Sequence, residues 1–220
     1  MYIGDQLLDA DMAFLADLAF AVILVQALRY APWRALIQGR RVHLVLAAAV
    51  SLMALWALRA GVSPGLTIHF LALTSVTLML GWELALLAGT LALVGVSLAT
   101  SAPATGFAAN ALVTVVVPVA ISYGIFRLVD ARVPHLMTYV LLCAFLGSAV
   151  AIVASSLAAA TMLAISGAYT WQQMGYEYLG YLPLVALPEG LLNGTIMTAM
   201  VMLRPDWIRT YDDRRYLLGK

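Results

Sequence analysis

Glu189 and Asn193 stand one helical turn apart in LPEGLLNGTIMTAMVM, an otherwise apolar run. Spacing of i, i+4 puts both on one helix face. A carboxylate in hydrocarbon is costly, so Glu189 must face a partner, a cavity or a ligand. It serves either as a structural acid hydrogen-bonded across a bundle, or as an acceptor that orients a ligand histidine or offsets a bound cation. Met197 follows one turn on and Met200 lies on nearly the same side. With Met202 they offer thioethers to a soft ion such as copper(I), although methionine in an apolar helix usually fills space.

His69 lies in GVSPGLTIHFLALTSVTLMLGW, residues 61–82, together with Thr67, Thr74 and Ser75. A neutral imidazole there is either a packed, hydrogen-bonding core residue or a ligand to a borderline metal through one nitrogen, the other donating to an acceptor. Asn110 and Thr114 share one side of a further segment with Pro118, and interhelical hydrogen bonding accounts for them. His43 and His135 fall at segment ends. Cys143 is the only cysteine, which excludes an intramolecular disulfide and a cysteine-only metal cluster. The chain has neither GxxxxGK[ST] nor HExxH. It is therefore expected not to be an enzyme and to hold no catalytic cofactor, with any ATP hydrolysis on another polypeptide. Asp206, Asp212 and Asp213 interrupt the basic tail and argue against nucleic-acid binding.

These residues need a membrane scaffold. The 220 residues are 64% hydrophobic and 10% charged, with mean hydropathy +0.96, whereas a soluble domain is about a quarter charged. Asp5, Asp9 and Asp11 precede the first apolar run, opposite to the basic start of a signal peptide, so the mature chain is expected to begin at or near Met1. The expected fold is all-α, seven transmembrane helices over residues 1–203 with a cytoplasmic tail over 204–220. The helices run roughly from Met12 to Leu28, Val42 to Ala57, His69 to Gly81, Glu83 to Ala99, Phe107 to Phe126, Leu136 to Ile165 and Tyr181 to Leu203. The third is short for a bilayer and polar, so other helices must shield it from lipid. The sixth is long, hence tilted or broken near Gly147 or Ser155 and Ser156. Gly167 to Gly180 reads as an aromatic interfacial connection.

Basic residues set the orientation. With the N-terminus outside and the C-terminus inside, eleven of the 12 Lys and Arg fall on the cytoplasmic side, leaving Arg59 outside. Arg34, Arg40, Arg41, Arg132, Arg204 and Arg209 then form a basic inner face suited to docking a partner.

The order of motifs resembles the CbiM/NikM-type substrate-binding permeases of energy-coupling factor transporters. The matching stretches are Met1 to Asp5 (M-x-I-x-D), His69 to Gly81, Gly106 to Pro118 (G-x-x-x-N with a later Pro) and Pro188 to Gly194 (PEG and beyond). The resemblance implies a seven-helix bundle in the prokaryotic inner membrane, its N-terminus inserted toward the core. It implies uptake of a transition-metal ion as substrate, nickel or cobalt; the methionines keep copper among the expected ions. A coupling membrane subunit and ATPase subunits are the implied partners. Metal ligands in the family come from the terminal amine, a histidine at position 2 and the third segment. They map onto Met1, Tyr2 and His69, with tyrosine in place of the histidine, while Asn110, Glu189 and Asn193 support them. The alternative is a non-transporting subunit that assembles or stabilises another integral membrane complex.

Overall fold

The computed structural model describes residues 2–4, 7–38, 41–58, 60–63, 66–100 and 104–217. Helices dominate: α1 Ala10–Tyr30, α2 Trp33–Gln38, α3 Arg41–Ala57, α4 Leu73–Leu80 and α5 Trp82–Ala99. They are followed by α6 Phe107–Arg132, α7 Leu136–Ile165, α8 Trp171–Glu177, α9 Leu182–Leu203 and α10 Asp213–Tyr216. Among the described residues, five helical stretches are long and apolar enough to cross a membrane: α1, α5, α6, α7 and the α8–α9 region Trp171–Leu203. α3 is a shorter apolar helix.

Two expectations need correction. The chain is not all-α, because β1 Tyr2–Ile3, β2 Ala60–Ser63 and β3 Leu66–Ile68 form an antiparallel sheet in the order β1-β3-β2. Leu66–Ile68 belongs to a strand because Leu-Thr-Ile carries two β-branched residues, which suit extended backbone. The third helix consequently starts only at Leu73 and ends at Leu80, a rise of about 12 Å. It does not span a bilayer alone. The expected shielding is there, since every α4 residue except Met79 is buried, and α3, α5, α6, α7 and α9 pack around it.

Neither long helix is simply broken. α6 widens into a π-helical turn at Leu112–Val116. Pro118 explains it: proline lacks an N–H and its ring clashes with the carbonyl four residues back, that of Thr114, inside the wide turn. Ser155 Oγ donates to the Val113 carbonyl at 2.6 Å. α7 has its π-helical stretch at Tyr139–Leu146, just before Gly147, and continues through Ser155 and Ser156 to Ile165. Gly190 and Gly194 of α9 face Phe145 at this stretch; a Cβ on Gly190 would stand 3.1 Å from the Phe145 carbonyl oxygen.

Leu80 leads into α5 through Gly81 alone, at φ +85°. A positive φ with an extended ψ of 166° is open essentially to glycine alone. The tail folds back beneath α4 and satisfies its C-terminal carbonyls. Thr210 Oγ1 donates to Leu78 O at 2.7 Å, Arg209 N to Met79 O at 2.8 Å and Arg209 Nη1 to Leu80 O at 3.3 Å. The Arg209 guanidinium also pairs with both Glu83 oxygens, at 3.0 and 3.3 Å. Tyr139, Tyr211 and Tyr216 cluster around this corner with centroids 5.1–5.3 Å apart. Tyr216 donates to Asp130 at 2.7 Å. Burial, and then this contact with Asp130, pushes the Tyr216 phenol above its usual range, so it stays a neutral donor.

Candidate functional site

At the opposite end of α4 the chain leaves β3 and runs through His69, Phe70, Leu71 and Ala72 without regular structure. Ala72 sits at φ +52°, a left-handed conformation that costs an alanine about 1–2 kcal/mol. It persists because the surroundings over-determine it. Glu189 Oε2 accepts from Leu71 N at 2.9 Å and Oε1 from Ala72 N at 2.7 Å. Asn193 Nδ2 donates to Glu189 Oε1 at 2.8 Å, while Asn193 Oδ1 accepts from Ser75 N at 2.9 Å and Ser75 Oγ at 2.8 Å. The Ser75 N–H can only donate, which fixes the orientation of the Asn193 amide.

This arrangement satisfies the opening turn of α4 with side chains of α9. Glu189 and Asn193 are completely buried, so every one of these bonds replaces water. The carboxylate stands at the positive end of the α4 dipole and Arg209 at its negative end. Of the two roles open to Glu189, hydrogen bonding across the bundle is the one the geometry displays, on the segment that carries His69.

His69 is 7% exposed. Its Nδ1 lies 2.9 Å from the Phe70 carbonyl oxygen, and a carbonyl only accepts, so Nδ1 carries a proton. A bond from one ring nitrogen to a backbone carbonyl is the kind that orients a histidine binding a metal through the other. The ring packs against Trp56, with centroids 5.6 Å apart and planes tilted by 45°.

The other expected residues are placed as follows. Met1 and Arg40 lie outside the described residues. The Tyr2 main chain pairs through β1 with Thr67 of β3, two residues before His69. Asn110 is buried and donates to the Gly106 carbonyl at 2.9 Å, steadying the start of α6, which packs on β1. Arg34, Arg132 and Arg204 are exposed and Arg41 is half-buried; Arg204 lies 5.5 Å over the Trp207 ring. Arg209 has an internal role, holding Glu83 and the end of α4. Among the described residues, no group of three or more His, Cys, Asp or Glu is arranged to hold a metal ion.

Sequence reasoning missed Trp56 and Ser75 as partners of this segment, and Arg209 and Thr210 as caps. One signal was legible: Glu83 in an apolar helix demands a cation, and a tail arginine supplies it.

The family model describing the CbiM cobalt uptake substrate-specific transmembrane region matches residues 2–207. The chain belongs to the CbiM family. Like the CbiM region as described, it is a multi-pass membrane protein. Its fold is similar to that of two crystal structures, each 18% identical. One is a truncated transition metal transporter, with a TM-score of 0.77, covering 92% of this chain and 99% of the other. The second, a transition metal transporter, gives a TM-score of 0.78 and covers 92% and 93%. At that identity the likeness establishes a shared fold. Comparison with curated proteins gives no match.

Proposed function

We propose that this CbiM-family chain is the substrate-binding membrane component of an energy-coupling factor type importer for a transition-metal ion, and not an enzyme. The observation that carries the reading is His69: buried, with its Nδ1 donating to a backbone carbonyl, and held in a non-helical segment that follows the strand paired with the N-terminal strand. The family description as a cobalt uptake region and the transition metal transporter structures support it.

Met1, Tyr2 and His69 contact the ion, which is cobalt, nickel or copper. Glu189 and Asn193 hold the His69 segment, and Asn110 steadies the α6 end that packs on β1. The chain crosses the inner membrane seven times, α3 and the α4 passage completing the five longer spans. The N-terminus and the sheet are outside and the tail from residue 204 is cytoplasmic; the distribution of 11 of 12 basic residues supports this orientation. Arg34, Arg40, Arg41, Arg132 and Arg204 dock the coupling membrane subunit and its ATPases, with Arg209 ordering the same face from within.

The test is element-resolved metal analysis of gently purified protein, followed by titration with nickel, cobalt, zinc and copper, for wild type and His69→Ala. The expected result is a stoichiometric metal in wild type and binding at least tenfold weaker in the variant. Failure of all four ions to bind wild type would overturn the transport reading and favour a structural subunit of another membrane complex.

A further inference from the structure

We propose that Trp56 of α3 is a positioning residue for His69, fixing the orientation in which the imidazole meets the metal. This rests on the reading of His69 as a ligand, but its grounds are separate. The Trp56 indole N–H donates to the Leu71 carbonyl at 3.1 Å. Leu71 is thereby gripped through both of its main-chain polar groups: its N–H goes to Glu189 on α9 and its carbonyl receives Trp56 from α3. Two helices thus clamp the residue that lies two positions after His69.

The same indole also packs against the imidazole, at 5.6 Å between centroids. Trp56 is 2% exposed, so it has no alternative rotamer in solvent and holds the ring by contact as well as holding the segment by hydrogen bond. A histidine in an irregular segment is otherwise free to rotate about its side-chain torsions. With Nδ1 committed to the Phe70 carbonyl and one ring face set by Trp56, the imidazole is held in one orientation. Groups that orient a ligand in this way change metal affinity by about 10–100-fold when removed.

Trp56→Phe retains an aromatic face and deletes the N–H. In detergent-solubilised full-length protein, its affinity for Ni²⁺ and Co²⁺ is expected to fall about tenfold. The visible spectrum of the saturated Co²⁺ complex is expected to change as well, which simple loss of stability would not produce. Wild-type affinity together with a wild-type Co²⁺ spectrum would overturn the proposal.

Should Trp56→Phe fail to fold, a protein with Trp56 as its only tryptophan (Trp33, Trp82, Trp171 and Trp207 replaced by Phe) gives a second measurement. Ni²⁺ is expected to quench its fluorescence, and His69→Ala to abolish the quenching. Ni²⁺ binding without quenching would place the ion away from Trp56 and overturn the proposal. If wild type binds neither ion, the ligand reading of His69 fails and the role of Trp56 falls with it. If wild type binds, His69→Ala does not, and Trp56→Phe matches wild type, the ligand reading of His69 stands and the role of Trp56 falls.

Discussion

Glu189→Ala protein is expected to lose about 3–5 kcal/mol of stability, because it leaves buried neutral N–H donors without their acceptor. The substitution orphans the N–H groups of Leu71 and Ala72 and one donor of Asn193, and each buried group without a partner costs about 1–3 kcal/mol. Ala72 loses the bond that holds its left-handed backbone, so the His69 segment should relax and metal affinity fall with stability. Glu189→Gln separates shape from chemistry. Its amide keeps one acceptor oxygen but turns an NH₂ toward either Leu71 N–H or Ala72 N–H, so a loss of about 1–3 kcal/mol is expected. Thermal unfolding in detergent with parallel metal titration measures both effects. A Glu189→Gln protein as stable as wild type would show that the two N–H groups do not depend on a carboxylate.

Arg209→Ala acts at the other end of α4. It removes the cation from Glu83, whose side chain is 8% exposed, and a donor from Leu80 O. Arg209 is itself one-third exposed, so solvent screens the pair and the expected loss is about 2 kcal/mol, below that of a fully buried pair. Combining it with Glu83→Gln should recover part of the loss, because the uncompensated carboxylate is gone. Gly81→Ala reports on the same corner from the backbone side. Its Cβ would stand 2.7 Å from Arg209 Nη1 at a φ of +85°, so it should destabilise by about 1–3 kcal/mol through its glycine-only backbone conformation alone. Unchanged thermal stability of both Arg209→Ala and Gly81→Ala would show that the tail does not hold α4.

Local pattern made some of this legible and hid the rest. The i, i+4 pair of Glu189 and Asn193 announced a functional or structural face because polar groups in hydrocarbon need partners. The shortness of the third segment announced that it must be shielded. Its start did not show, because Leu66–Ile68 reads equally well as the first turn of an apolar helix and becomes a strand only by pairing with β1 and β2. Trp56 was one more apolar residue of α3 until the fold brought Leu71 to its indole. Glu189, Asn193 and Thr210, which complete the ends of α4, are more than 100 positions away along the chain, beyond the reach of periodicity or capping rules. The π-helical turn was foreshadowed by Pro118, whereas the one in α7 had no comparable breaker inside it.

The dependence of α4 on distant residues has a consequence for biosynthesis. Both of its ends are completed by residues 189–210, which leave the ribosome about a hundred residues after α4 itself, roughly 5–20 s later at ordinary synthesis rates. Until then the helix has unmet N–H and carbonyl groups, a left-handed alanine and no counter-ion for Glu83. The central element of the bundle is therefore the last to be fixed. With single cysteines introduced one at a time within residues 69–83 of a Cys143→Ala background, chains arrested after Leu179 should leave those positions open to thiol labelling from water, and chains released after Leu217 should protect them; equal protection in both would show that α4 is housed without the late segment.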